Sequence, residues 1–166
     1  MTTWDPMPSW KEPSAISKWA AGWQPAFQRP WLTFLDTETN YGSIFASARL
    51  LFPSLLMHEE CIFLEMNFSE SSYISFKDQG MSRTEIELVM NHVHVEELIH
   101  ETADYSASDV ESLAGIISEA WSLVFRNGYE ERGIEVVMSS SENLEDLTIS
   151  FHSIIPNEIC GRHQSD

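Results

Sequence analysis

Lysine and arginine are scarce in this chain. Nine basic side chains stand against 26 acidic ones, for a formal net charge of -17, and from Thr84 to Phe125 there is no lysine or arginine at all. A surface with that balance repels the phosphates of nucleic acids and of anionic membranes, so neither is expected as a partner; it draws a basic protein toward it instead. Cysteine is sparse too. Two widely spaced thiols, Cys61 and Cys160, do not make a disulfide framework and fit a reducing compartment. With no basic segment ahead of an apolar one at the N-terminus, the expected location is cytoplasmic. No run approaches the roughly 18 apolar residues of a membrane span. Glycine, at 7 residues, is too rare for phosphate-cradling loops. There is no Gly-x-Gly-x-x-Gly, Walker loop, His-Glu-x-x-His, Gly-x-Ser-x-Gly or Cys-x-x-Cys, and no cofactor is implied.

What is present is a globular composition. The 166 residues are 43% apolar, enough for one domain with its own core. Tryptophan and proline crowd the first 35 residues: Trp4, Trp10, Trp19, Trp23 and Trp31, with Pro6, Pro8, Pro13, Pro25 and Pro30. Proline at this density argues against a long helix and leaves room for at most one short helix, from about Ser14 to Trp23. Residues 1–35 therefore read as an irregular arm packed on the domain through its indole rings, the alternative being an exposed aromatic recognition surface. Residues 36–155 read as the domain and 156–166 as a polar tail.

Within the domain, Ile44, Phe45, Ala48, Leu51 and Phe52 recur at helical spacing, with Asn40 to cap the start and Pro53 to end the helix. Ser54 to Met57 reads as a short turn after it. Cys61 to Phe68 alternates as a strand, placing Ile62, Leu64 and Met66 on one face. Tyr73 to Phe76 reads as a short strand or an extended link. Glu85 to Val95 fits a strand or a helix; the β-branched His92-Val93-His94-Val95 run favours the strand. Ser108 to Asn127 is the clearest helix, with a capping box over Ser108-Asp109-Val110-Glu111 and a wide apolar stripe. Ile134 to Met138 and Leu147 to Phe151 read as a hairpin. The predicted fold is α+β: a single antiparallel sheet of about four to five strands packed by two main helices, beside the Trp/Pro-rich N-terminal arm.

Two constellations carry chemistry. His92 and His94 share one face of a strand, and Glu97 and His100 have Glu-x-x-His spacing. A divalent metal on His92, His94 and His100 is the enzymatic reading; histidines bonded to backbone carbonyls are the structural one. The second constellation is acidic. Glu96, Glu97, Glu101, Asp104, Asp109 and Glu111 lie in the cation-free stretch and form a candidate partner-binding surface, against the alternative of a solvated face with no partner.

Ala48-Arg49-Leu50-Leu51-Phe52-Pro53, Cys61-Ile62-Phe63-Leu64, Ile86-Glu87 and the run Asn91 to Leu98 resemble a pattern in small acidic bacterial immunity proteins of polymorphic or contact-dependent toxin systems, over roughly Ile44 to Phe151. The resemblance implies a cytoplasmic, non-catalytic protein that blocks a toxin, often a basic nuclease, with an acidic surface. It carries over no individual binding residue. The competing expectations are a metal-dependent enzyme and an assembly subunit docking through its Trp-rich arm.

Overall fold

A computed structural model describes residues 12–23, 30–98, 105–128, 133–140 and 146–154. The longest element is helix α6, Ala107–Gly128, which buries Val110, Ala114, Ile117, Trp121 and Phe125. Those positions recur every three or four residues, so a single stripe faces inward. The helix begins one residue earlier than the sequence indicates, and its cap is Ser106, not Ser108: the Asp109 carboxylate reaches back to accept from Ser106 N at 2.9 Å and Ser106 Oγ at 2.8 Å.

α6 packs on a three-stranded antiparallel sheet in the order β3-β5-β4. Strand β4 is Ile134–Ser139 and β5 is Thr148–Ser153; they pair as the expected hairpin, Ile134 opposite Ser153 and Ser139 opposite Thr148. Strand β3 is only Val93–His94. A second sheet holds β1, Leu55–His58, and β2, Cys61–Leu64. The chain is thus α+β, but with two small sheets in place of one. Ser54 to Met57, read as a turn, contributes β1. β2 ends at Leu64, and Met66 lies in a 3-10 turn, 62% exposed, not in the strand.

β2 is buried along its whole length because each face meets a different core. Ile62 and Leu64 join Trp121, Phe125, Ile149 and Phe151 under α6. Cys61 and Phe63 join Tyr73, Ile86 and Met90 under two further helices, α4 (Glu70–Asp78) and α5 (Arg83–Met90). α4 stands where a short strand or an extended link is expected, and α5 where the strand is favoured over the helix. Ser69 caps α4 through Ser72 N, so the polar Ser69-Glu70-Ser71-Ser72 run starts a helix. Ser82 and Glu85 form a complete capping box on α5, a local signal that overrides the β-branched residues that follow it.

The two sheets are joined by side chains of α5 and its C-cap. Glu87 and Asn91, one helical turn apart, are both fully buried. Glu87 accepts from Ile62 N at 2.8 Å on one sheet and from Ser153 N at 2.8 Å and Ser153 Oγ at 2.7 Å on the other. Asn91 accepts from Leu64 N at 2.8 Å, donates to Ile62 O at 2.8 Å, and donates to Phe151 O at 3.2 Å. The outer edge of β2 is therefore satisfied by carboxylate and amide groups where another strand would otherwise lie.

The β1–β2 turn places Glu59 and Glu60 at φ 45° and 72°, the left-handed backbone that a two-residue hairpin turn requires and that side chains resist. Contacts from the adjoining helices hold it. Tyr73 Oη and Lys77 Nζ donate to Glu59 Oε2 at 3.1 and 2.5 Å, and Arg83 Nη2 donates to Glu60 O.

Among the described residues, three helices precede β1: α1, Ser14–Ala21; α2, Pro30–Glu38; and α3, Tyr41–Leu51. α1 and α3 match the expected helices, and Asn40 caps α3 by accepting from Ser43 N at 2.9 Å. α2 corrects the limit of one short helix in the arm. Pro30 is its first residue, where the missing N–H costs nothing and the fixed φ suits the helix.

Candidate functional site

Among the described residues, two open grooves bear on function, and the acidic candidates spread over several elements. The first groove follows from the end of α5. With Asn91 turned inward, the chain runs through His92 into β3 and then a 3-10 turn, Glu96–Leu98. This brings the His92 and His94 rings edge to face, centroids 5.0 Å apart, in a groove of about 640 Å³ that Met66, Asn67, Phe76 and Glu97 also line. The juxtaposition of His92 and His94 is as the sequence indicates, although only His94 belongs to a strand. Each imidazole has a protein partner at Nδ1: Val89 O for His92, and Asp146 Oδ1 at 3.0 Å for His94. Among the described residues, no three or more His, Cys, Asp or Glu side chains are grouped to hold a metal. His100 lies outside the described residues.

Of the acidic candidates, Glu97 and Glu111 are exposed and Glu96 is half-buried. Glu101 and Asp104 lie outside the described residues. Asp109 is engaged internally. Besides Ser106, its carboxylate accepts from Ser14 Oγ at 2.6 Å and Ser14 N at 2.9 Å, tying the start of α1 to the start of α6. The Ser14 hydroxyl, then the Ser14 and Ser106 backbone amides, hold this carboxyl far below the usual range. A carboxyl depressed in the folded state stabilises the fold above its unfolded pKa of about 3.9, and that contribution is lost as pH falls through the folded value. Asp109→Ala is expected to cost about 1 kcal/mol at neutral pH, as loss of a helix cap does. In urea titrations at successive pH values, the gap from the parent should stay constant down to about pH 5 and close only in strong acid. A gap that widens on acidification would contradict this role for Asp109.

The second groove lies between α2 and α3. None of the residues of α1, α2 or α3 is fully buried. Trp19 links α1 to α2 through an edge-on contact with Phe34, centroids 5.4 Å apart, and an Nε1 hydrogen bond to Glu38 Oε1 at 3.1 Å. Trp23 and Trp31 are exposed, and Trp4 and Trp10 lie outside the described residues. On α3, Leu50 and Leu51 pack on the core. Trp121 Nε1 donates to Leu50 O at 2.9 Å and anchors the helix. Apart from Leu51, the stripe that marks α3 in the sequence faces solvent: Ile44 is 46%, Phe45 73% and Phe52 60% exposed, and Tyr41 beside it 84%.

No family model, curated protein or solved structure matches this chain. Its functional reading therefore rests on its own residues. Among those described, no helix is long and apolar enough to cross a membrane. The charge pattern pointed to the acidic stretch and gave no sign of the α2–α3 surface. The available signal for that surface was apolar: Leu32 and Leu35 beside Tyr41, Ile44 and Phe45, more large side chains than two short helices can bury.

Proposed function

We propose that this chain is a non-catalytic binding protein of immunity type, which neutralises a cognate basic, nuclease-type toxin domain through its acidic surface. The supporting observation is the exposure of Glu97 and Glu111 within a stretch from Thr84 to Phe125 that carries no compensating cation, on a chain of net charge -17. Carboxylates so placed steer a cationic domain into contact, while affinity comes from a few apolar anchors. The exposed aromatic rings of α3 are of the type that supplies such anchors.

The test is kinetic. The rate of association with the basic domain that co-purifies from the host is expected to fall at least tenfold between about 0.05 and 0.5 M salt. The double substitution Glu97→Lys, Glu111→Lys should slow association about tenfold at low salt and leave dissociation little changed. A rate indifferent to both salt and substitution would remove the acidic surface from the mechanism.

A further inference from the structure

We infer that the groove between α2 and α3 is the docking site for an amphipathic helix of a partner protein, one whose apolar stripe is flanked by lysine or arginine. The inference rests on the reading of this chain as a protein-binding module and names the element that is bound.

The shape sets the class of occupant. Leu32, Leu35, Tyr41 and Ile44 line about 810 Å³ of space between two neighbouring helices, open to solvent along one side. A small molecule there would stay half in water. A third helix would not, since side chains at i, i+3, i+4 and i+7 fill a channel between two helices. Tyr41 and Phe45, with Phe52 two turns on, continue the apolar surface along α3, so a partner helix would meet aromatic anchors of the kind that dominate binding energy.

Charge selects among helices. Asp36 lies in the groove wall, and Glu38 follows it at the end of α2. From Pro30 to Phe76 the chain carries one lysine or arginine, Arg49, and Arg49 sits 3.7 Å from the Glu65 carboxylate. The groove thus presents negative charge at its wall. Apposing a second copy of a chain of charge -17 would set like charges face to face, and an anionic membrane is disfavoured on the same ground. A helix with basic flanks is the complementary occupant.

The experiment uses the full chain and a fluorescently labelled synthetic helix of about four turns, apolar at i, i+3, i+4 and i+7 with lysine on both flanks, beside a twin carrying glutamate in place of every lysine. By anisotropy, the lysine peptide should bind at micromolar concentration and the glutamate twin at least tenfold more weakly. Leu35→Glu with Ile44→Glu should abolish binding. Asp36→Lys, a single exposed change, should narrow the preference between the twins, while Asp78→Lys at the end of α4 should leave it unaltered. Binding of neither peptide, equal binding of both, or binding that survives the Leu35, Ile44 double substitution with circular dichroism unchanged would each overturn the inference. So would self-association of the parent chain that Ile44→Glu disperses, since the occupant would then be a second copy. The two readings separate cleanly. If the groove variants still capture the native basic partner and the Glu97, Glu111 variant does not, the groove inference fails and the acidic-surface proposal stands. If the lysine peptide binds the groove but native association ignores salt, the reverse holds.

Discussion

Glu87→Ala should destabilise the fold by about 3–5 kcal/mol, the usual cost of removing one partner from a buried charged network. The carboxylate receives Ile62 N, Ser153 N and Ser153 Oγ, with Arg83 Nε at 3.4 Å. Alanine strands all of these donors in a site that excludes water, and Arg83, itself buried, loses its counter-charge. Glu87→Gln tests whether charge or shape matters. An amide can accept at one position only, so its NH₂ must confront either the Ile62 or the Ser153 donors. We expect a loss of about 2 kcal/mol, between the parent and alanine. Urea midpoints and slopes measure both variants. A cost below about 1 kcal/mol for alanine would mean that the three backbone and hydroxyl donors find other partners, and that Glu87 does not join the sheets.

Trp121→Ala should cost a similar amount, about 3–5 kcal/mol. The ring is fully buried against Phe125 and Phe151, at centroid distances of 6.1 and 5.9 Å, and its removal leaves a large cavity. Trp121→Phe keeps most of that packing and removes the Nε1 donor to Leu50 O. It should cost about 1–2 kcal/mol, with a local signature: amide exchange should accelerate in α3 and leave α6 and β5 protected. Uniform acceleration over all three elements would place the effect in the core alone and remove the indole as the anchor of α3.

The elements that were legible in the sequence are those whose local pattern and tertiary role agree. α6 has a long single stripe, the β4–β5 hairpin alternates, and α3 has both its Asn40 cap and its Pro53 stop. The α5 segment was misread because two patterns overlap. Ile86, Leu88 and Met90 alternate like a strand and lead into a β-branched run, while Ser82 and Glu85 cap a helix. The arbiter is long-range: Glu87 and Asn91 meet backbone groups of β2 and β5 only when one helical turn separates them. The same fact explains why one sheet was expected and two are found. Nothing local to Ile62 reveals that its amide bonds to a side chain 25 residues away. α2 is masked in the sequence by Pro30, because proline breaks a helix interior yet suits the first helical position. Among candidate site residues, the meeting of His92 and His94 was legible because two residues are a short distance in any extended chain. The partnership of Asp109 with Ser14, 95 residues apart, was not.

The seam that α5 builds between the sheets has a consequence for how this architecture tolerates change. Strands joined by a ladder share one phase, so an inserted residue in one throws its neighbours' side chains to the wrong face. Here β2 and β5 are coupled through two rotatable side chains, and each sheet keeps a phase of its own. A lengthened β4–β5 loop, or a bulge in that hairpin away from Phe151 and Ser153, would leave the β1–β2 pairing in step, so long as Glu87 and Asn91 stay and Ile149 and Phe151 keep their packing on Ile62 and Leu64.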